Sequence, residues 1–181
     1  EYIENLAHLI KTGVDKATGE KTTEPLKGKV WLEYSNEVWN WGFSQSNWVN
    51  NNNSIPGGDI DEKYANKSVD VFNTFENSFN DPDRVIRVFG TQFGWSGGKR
   101  TRDRLKAVPR EEYDALALTT YFEADFRQYC YDNWPLTVEE GLNYLKNKLG
   151  SGPFKENEEN EEAVNLYWTY YYANQYDVPV I

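Results

Sequence analysis

The sequence predicts a protein of the α/β class, in which parallel strands alternate with helices. Short runs rich in β-branched and aromatic residues or Leu recur along the 181 residues, each bounded by Pro, Gly, Asn or Asp. Longer stretches with apolar residues at helical spacing lie between these runs. Strands separated by helices form βαβ units, whose strands run parallel. We treat residues 1–181 as one domain, since the length and the 39% hydrophobic content fit a single core.

Four strands and four helices are predicted in this alternation. The strands span Val30–Ser35, Val85–Thr91, Ala115–Tyr121 and Val178–Ile181. The helices span Glu1–Lys11, Asp61–Asn77, Thr137–Leu149 and about Glu158–Gln175. The first helix lacks a start signal, the last strand is cut off, and the sequence contains no methionine. We therefore expect this sequence to be part of a longer or processed protein.

Two architectures fit such a pattern, the open doubly wound sheet and the closed (β/α)₈ barrel. An open nucleotide-binding sheet favours a glycine-rich phosphate loop directly after a strand. The segment FGTQFGWSGG follows the second predicted strand, but it has neither the G-x-G-x-x-G spacing nor a P-loop lysine. Phosphate binding is thus the weaker interpretation, while the residues alone leave both architectures open.

The composition argues against several classes of partner. The net charge of −10 does not suit a nucleic-acid backbone, and no apolar run approaches the ~18 residues of a membrane span. His8 and Cys130 are each the sole residue of their type, so we expect no zinc site, no other metal and no organic cofactor. A basic cluster is predicted to be a solvated helix face; it comprises Lys99, Arg100, Arg102, Arg104, Lys106 and Arg110.

The segment VWLEYSNEVWNWGFSQSNWV, residues 30–49, holds four of the seven tryptophans and two glutamates. Glu37 follows a predicted strand, at the edge where parallel barrels place their reacting groups. Protonating a glycosidic oxygen requires a carboxyl that still holds its proton near neutrality, and apolar neighbours favour that state. By position and residue type alone, a structural carboxylate that caps the next loop or pairs with an arginine is the competing interpretation of Glu37.

The neighbours of Glu37 have the chemistry of a sugar site. Asn36 has amide hydrogens that can be donated to a sugar hydroxyl. Trp39, Trp41 and Trp48 are predicted in the loop after the strand, where flat rings could stack on sugars.

Glu33 precedes Glu37 by four residues, and period-two alternation puts both on one side of the strand, with Glu33 deeper. A buried carboxylate must be paired or protonated, and Arg87 on the next strand is its predicted partner.

The octapeptide YSNEVWNW, residues 34–41, resembles the fourth-strand motif of clan A retaining glycoside hydrolases. In these (β/α)₈ enzymes an Asn-Glu pair ends strand four, and the Glu is the general acid/base. The longer segment VWLEYSNEVWNWGFSQ resembles a group of secreted polysaccharide-degrading or carbohydrate-binding proteins of that clan. The resemblance implies a (β/α)₈ TIM barrel, of which this chain covers about helix three to the start of strand seven. It also implies that Glu37 is catalytic and that the protein is extracellular.

The resemblance extends more loosely over most of the chain. RVIRVFGTQFGW would be strand five, with Gln92 and Trp95 at its exit. YDALALTTYF looks like strand six, ending in Tyr121, where such enzymes often place an aromatic that contacts the nucleophile. A retaining mechanism needs a second carboxyl about 5 Å from the first. In the clan that nucleophile ends strand seven, so we expect it a few residues beyond Ile181.

The predicted function is hydrolysis of a β-linked polysaccharide with retention at the anomeric centre. Glu37 is the predicted general acid/base. The predicted substrate-binding residues are Asn36, Trp39, Trp41, Gln92 and Tyr121. The expected partner is an oligo- or polysaccharide. The alternative is a non-catalytic extracellular carbohydrate-binding or structural protein built on a hydrolase-like barrel, which the Trp-rich loop fits equally well.

Overall fold

The computed structural model describes residues 1–92, 99–119, 124–150 and 171–181. Three strands are described, β1 (Val30–Glu33), β2 (Val85–Gln92) and β3 (Ala115–Thr119). The described helices are α1 (Tyr2–Thr12), α2 (Ser44–Asn51), α3 (Ile60–Phe79), α4 (Lys99–Lys106), α5 (Ala124–Asp132) and α6 (Val138–Gly150). Single 3₁₀ turns at Pro82–Arg84 and Arg110–Glu112 lead into β2 and β3. The chain is thus mixed α/β, as predicted.

The three strands form one parallel sheet in the order β1-β2-β3. Val30 pairs with Val85, and Val88 pairs with Ala115. The first two strand predictions are confirmed with ends shifted by one or two residues, and β3 confirms the third as far as the described residues reach. The fourth predicted strand appears as an isolated parallel bridge between Leu116 and Val180.

Helices α1, α3 and α4 pack on the same face of this sheet. Val30 and Val85 of that face contact α1 and the end of α3 through Ala7, Phe75 and Phe79. A second apolar cluster continues the same layer; it includes Phe72 of α3, Phe89 of β2, Leu105 of α4 and Leu116 of β3. Since side chains alternate along a strand, Trp31, Glu33 and Gly90 belong to the opposite face. Trp31 is 58% exposed there.

Helix α3 shows why this segment is helical. Asp59 caps its start, and its side chain accepts hydrogen bonds from the backbone N–H groups of Asp61 and Glu62 at 2.9 and 3.0 Å. The helix ends at Asn80, which adopts the left-handed conformation with a φ of 49°. Its buried positions carry Phe72, Phe75 and Phe79 toward the sheet. The prediction of a helix over Asp61–Asn77 is therefore confirmed within two residues.

Helices α2 and α5 were not predicted. The segment SQSNWVNN of α2 has few good helix formers, because Ser and Asn side chains compete for backbone hydrogen bonds. Tertiary packing holds it, since Ser46 and Val49 are fully buried. The helix predicted over about Glu158–Gln175 falls mostly outside the described residues, of which 171–175 are helical. Among the described residues, every helix is too short or too polar to cross a lipid bilayer.

Candidate functional site

The loop after β1 places Glu37 at the carboxyl-terminal edge of the parallel sheet. Its backbone carbonyl accepts hydrogen bonds from Asn40 N at 2.8 Å and Ser46 Oγ at 3.3 Å. Its Oε2 accepts a hydrogen bond from Asn40 Nδ2 at 3.1 Å. The residue is half-buried. The Glu37 carboxylate is therefore held in place by its own loop while remaining partly accessible.

Two residues of this loop adopt unfavourable backbone conformations. Ser35 has a φ of 62° and Glu37 a φ of 43°, in the left-handed region that side chains other than Gly rarely occupy. Such strain persists only where surrounding contacts enforce it, and it concentrates at functional sites. Val38, which follows Glu37, supplies one such contact because it is fully buried against Tyr64 and α2.

The predicted substrate-binding residues differ in their accessibility. Asn36 is exposed, and its backbone carbonyl accepts a hydrogen bond from Gln45 Nε2 at 2.8 Å. Trp41 is 54% exposed, whereas Trp39 is only 5% exposed. Gln92 is half-buried at the last position of β2. Tyr121 lies outside the described residues.

Trp39 packs on Arg104, whose guanidinium carbon lies 5.1 Å from the centre of the indole ring. Because Trp39 is buried, its ring is not accessible for stacking on a sugar in this structure. The ring instead forms part of the support beneath the loop.

Glu33 lies on the sheet face opposite the helices and extends over Gly90. A Cβ atom at position 90 would collide with Glu33 Oε1 and would lie 3.3 Å from Tyr64 Oη. Gly90 thus provides the space that this carboxyl occupies. The residue as a whole is exposed, contrary to the expectation of a buried carboxylate. Partial desolvation of its carboxyl beside Gly90 raises the pKa of Glu33, and the positive charge of Arg104 lowers it by a smaller amount.

Arg87 does not pair with Glu33, contrary to the prediction. Its Nη2 lies 2.8 Å from Asp114 Oδ1, and its Nε lies 3.7 Å from Glu76 Oε1. The reason is the pleat of β2, since Arg87 alternates onto the face that carries α3, whereas Glu33 lies on the other.

Arg104 is the main feature of the site that sequence reasoning missed. Its side chain is fully buried, although the basic cluster was predicted to be a solvated face. Its Nε donates to Asp61 Oδ1 at 2.9 Å, and its Nη1 donates to the carbonyl of Gly90. Its Nη2 is buried and has no hydrogen-bond partner among the residues that the structure describes. Helical spacing offered a signal, because Arg104 falls on the same side of α4 as Thr101 and Leu105, both buried.

Tyr64 connects this buried arginine to Glu33. The Arg104 guanidinium carbon lies 3.9 Å from the centre of the Tyr64 ring. Tyr64 Oη accepts a hydrogen bond from Gly90 N at 2.9 Å. Burial raises the pKa of Tyr64, so the phenol keeps its proton at neutral pH. The site therefore contains two carboxyl groups near the end of β1, a neutral phenol and a buried cation.

Comparison of the chain with protein-family models, curated proteins and solved structures finds no match. Within the described part of the chain, no group of three or more His, Cys, Asp or Glu side chains could hold a metal ion.

Proposed function

We propose that this chain is part of a (β/α)₈ barrel. The strands follow one another across the sheet in chain order, all parallel, and Val180 continues this order beside β3. Helices α1, α3 and α4 lie on one face. Right-handed crossovers produce this arrangement when each new strand is added on the same side, as in a barrel. In a doubly wound sheet, by contrast, the order in which strands are added reverses partway along the sheet, and helices cover both faces.

The proposed activity is retaining hydrolysis of a β-linked polysaccharide outside the cell, with Glu37 as general acid/base. The half-buried, loop-held carboxyl of Glu37 at the carboxyl-terminal edge of the sheet is the observation that carries the proposal. In the first step Glu37 protonates the glycosidic oxygen while the second carboxylate, expected beyond Ile181, attacks the anomeric carbon. In the second step Glu37 takes a proton from the water that releases the sugar.

The substrate-binding roles follow accessibility. Asn36 and Trp41 are exposed next to Glu37. Asn36 is proposed to hydrogen-bond to the sugar at the cleavage point, and Trp41 is proposed to stack on it. Gln92 ends the neighbouring strand and is proposed to contact the same sugar, as is Tyr121. Trp39 is proposed to support the loop from below through its contact with Arg104.

The test is Glu37→Gln in the full-length protein, assayed on an unactivated β-linked oligosaccharide and on a 2,4-dinitrophenyl β-glycoside. We expect kcat/KM to fall about 10²–10⁴-fold on the oligosaccharide. It should change far less on the dinitrophenyl glycoside, because that leaving group departs without protonation. Azide should accelerate turnover of the dinitrophenyl glycoside by the variant and give a β-glycosyl azide, since azide needs no general base.

Glu33→Gln and the exposed Glu20→Gln are the matched controls, and neither should show this dependence on the leaving group. Equal losses on both substrates, or no loss, would show that Glu37 is not the acid/base.

A non-catalytic carbohydrate-binding protein is the second candidate. It is favoured by the exposure of Trp41, Phe43 and Trp48, which a binding surface could use without Glu37. In that case the wild-type protein would bind β-linked oligosaccharides and hydrolyse neither substrate.

A further inference from the structure

The outward face of helix α2 combines an exposed tryptophan with asparagine side chains. Its members are Asn47, Trp48, Asn51 and the C-cap residue Asn52. Their spacing of i, i+1, i+4 and i+5 places them on one side of the helix. The opposite side carries the buried Ser46 and Val49. The helix therefore packs through the opposite side, while Asn47, Trp48 and Asn51 are exposed and Asn52 is half-buried.

These four residues line an open cavity of about 460 Å³. The cavity is shallow and mostly open to solvent. The Trp48 ring is 51% exposed. None of the lining residues is charged. The cavity thus offers an aromatic surface surrounded by neutral amides.

Asn47 fixes one wall of the cavity. Its Nδ2 lies 3.4 Å from the carbonyl oxygens of both Trp41 and Phe43. The turn that carries these two exposed aromatic residues is therefore tied to the α2 surface. Asn47 Oδ1 makes no hydrogen bond within the described part of the chain.

The other two amides have unused donors. Asn52 Oδ1 accepts a hydrogen bond from Ser54 N at 2.9 Å, and Asn51 Oδ1 accepts one from Asn50 Nδ2 at 3.4 Å. The Nδ2 groups of Asn51 and Asn52 have no acceptor among residues 1–92, 99–119, 124–150 and 171–181. Next to an exposed indole, such donors match the hydroxyl groups around a sugar ring.

We propose that this surface binds one pyranose ring of a neutral β-linked oligosaccharide. The apolar face of the ring stacks on Trp48, and hydroxyl groups accept hydrogen bonds from Asn51 and Asn52 and donate one to Asn47. A neutral sugar is favoured because no lining cation is present to pair with an acidic one. The inference rests on the proposed function for the choice of β-linked sugars. Glu37 does not line the cavity, so this is a binding site apart from the reacting carboxyl.

The test is calorimetric titration of the full-length protein carrying Glu37→Gln, which slows turnover. The probes are cellohexaose, xylohexaose, mannohexaose and laminarihexaose. We expect Trp48→Ala to weaken binding of at least one of them about tenfold, as loss of an aromatic stacking contact would. Trp48→Phe should retain most of the affinity. Asn51→Ala should weaken binding of the same sugar. Tyr2→Ala, which removes an exposed ring on α1, should leave that binding unchanged.

Unchanged affinities in both Trp48→Ala and Asn51→Ala would overturn the inference, as would the absence of binding to all four sugars. The proposed function is judged separately, by the effect of Glu37→Gln on hydrolysis in the otherwise unaltered protein. Loss of hydrolysis in Glu37→Gln, together with unchanged binding by both Trp48→Ala and Asn51→Ala, would reject this site and retain the hydrolase.

Discussion

Arg104 Nε donates a hydrogen bond to Asp61 Oδ1 at 2.9 Å, and both side chains are buried. Arg100 Nη1 reaches the same oxygen at 2.8 Å. The two residues join α4 to the start of α3, directly beneath Trp39 and the loop that holds Glu37. A buried charge is tolerated when it is paired and bonded, and removing one partner is costly.

Arg104→Met should therefore destabilise the protein strongly. The substitution removes one partner of the buried carboxylate, so we expect the free energy of unfolding to fall by about 3–5 kcal/mol. Urea denaturation measures it. Lys106→Met, at an exposed position of the same helix, is the control and should change stability by less than about 0.5 kcal/mol. Equal stability of Arg104→Met and the wild type would show that the charged network makes no net contribution.

Gly90→Ala should destabilise the protein through Glu33. The added Cβ would collide with Glu33 Oε1, and the carboxyl would have to leave its position beside Tyr64. We expect a loss of about 1 kcal/mol or less, because the colliding atom is the end of a flexible side chain that can rotate away, and Tyr64 Oη remains close at 3.3 Å. In a Glu33→Ala background the same substitution should cost less, because the colliding group is gone. The double-mutant cycle by urea denaturation tests this coupling, and strictly additive effects would contradict it.

Asp114→Asn should remove a contribution to stability that depends on pH. Burial raises the pKa of Asp114, but three hydrogen bonds from Arg87 outweigh it and hold the pKa below the ordinary value of 3.8. The contribution is therefore present above about pH 4 and is lost as the pH falls through the lower folded-state pKa.

We expect a loss of about 1–2 kcal/mol at pH 7, allowing for the partial exposure of the pair. The difference from wild type should shrink as the pH falls below 3.8. Urea unfolding midpoints of both proteins, measured from pH 7 to below pH 4, give this difference in stability. Asp83→Asn, at an exposed position, is the control. A gap that widens toward low pH would refute the assignment.

Trp39→Ala and Trp41→Ala should have opposite phenotypes. Trp39 is buried against Arg104, so its truncation should cost about 3–5 kcal/mol of stability. Trp41 is exposed, so its truncation should leave the unfolding midpoint nearly unchanged and raise KM for an oligosaccharide. Thermal unfolding and steady-state kinetics on both variants separate the roles. An unchanged KM in Trp41→Ala would remove this residue from the proposed substrate site.

Local sequence patterns were sufficient to predict the three strands and three of the helices, since α1, α3 and α6 lie within two residues of the predicted bounds. The strand runs beginning at Val30, Val85 and Ala115 are short, apolar and bounded by turn residues, so their type does not depend on distant contacts. The location of Glu37 after a strand follows from the same pattern. Helix α2 could not be predicted in this way, because its Ser- and Asn-rich sequence becomes helical only through the burial of Ser46 and Val49.

The sequence by itself determined a parallel α/β arrangement with Glu37 at the edge of its sheet, because periodicity and chain order are local properties. Only the tertiary structure decided that Arg104 is buried, that Trp39 lies beneath the loop and that Glu33 meets Gly90 instead of Arg87. The partner of Arg104 is Asp61, 43 residues earlier in the chain. Whether a charge is buried depends on such distant partners, and no pattern within a single helix contains them.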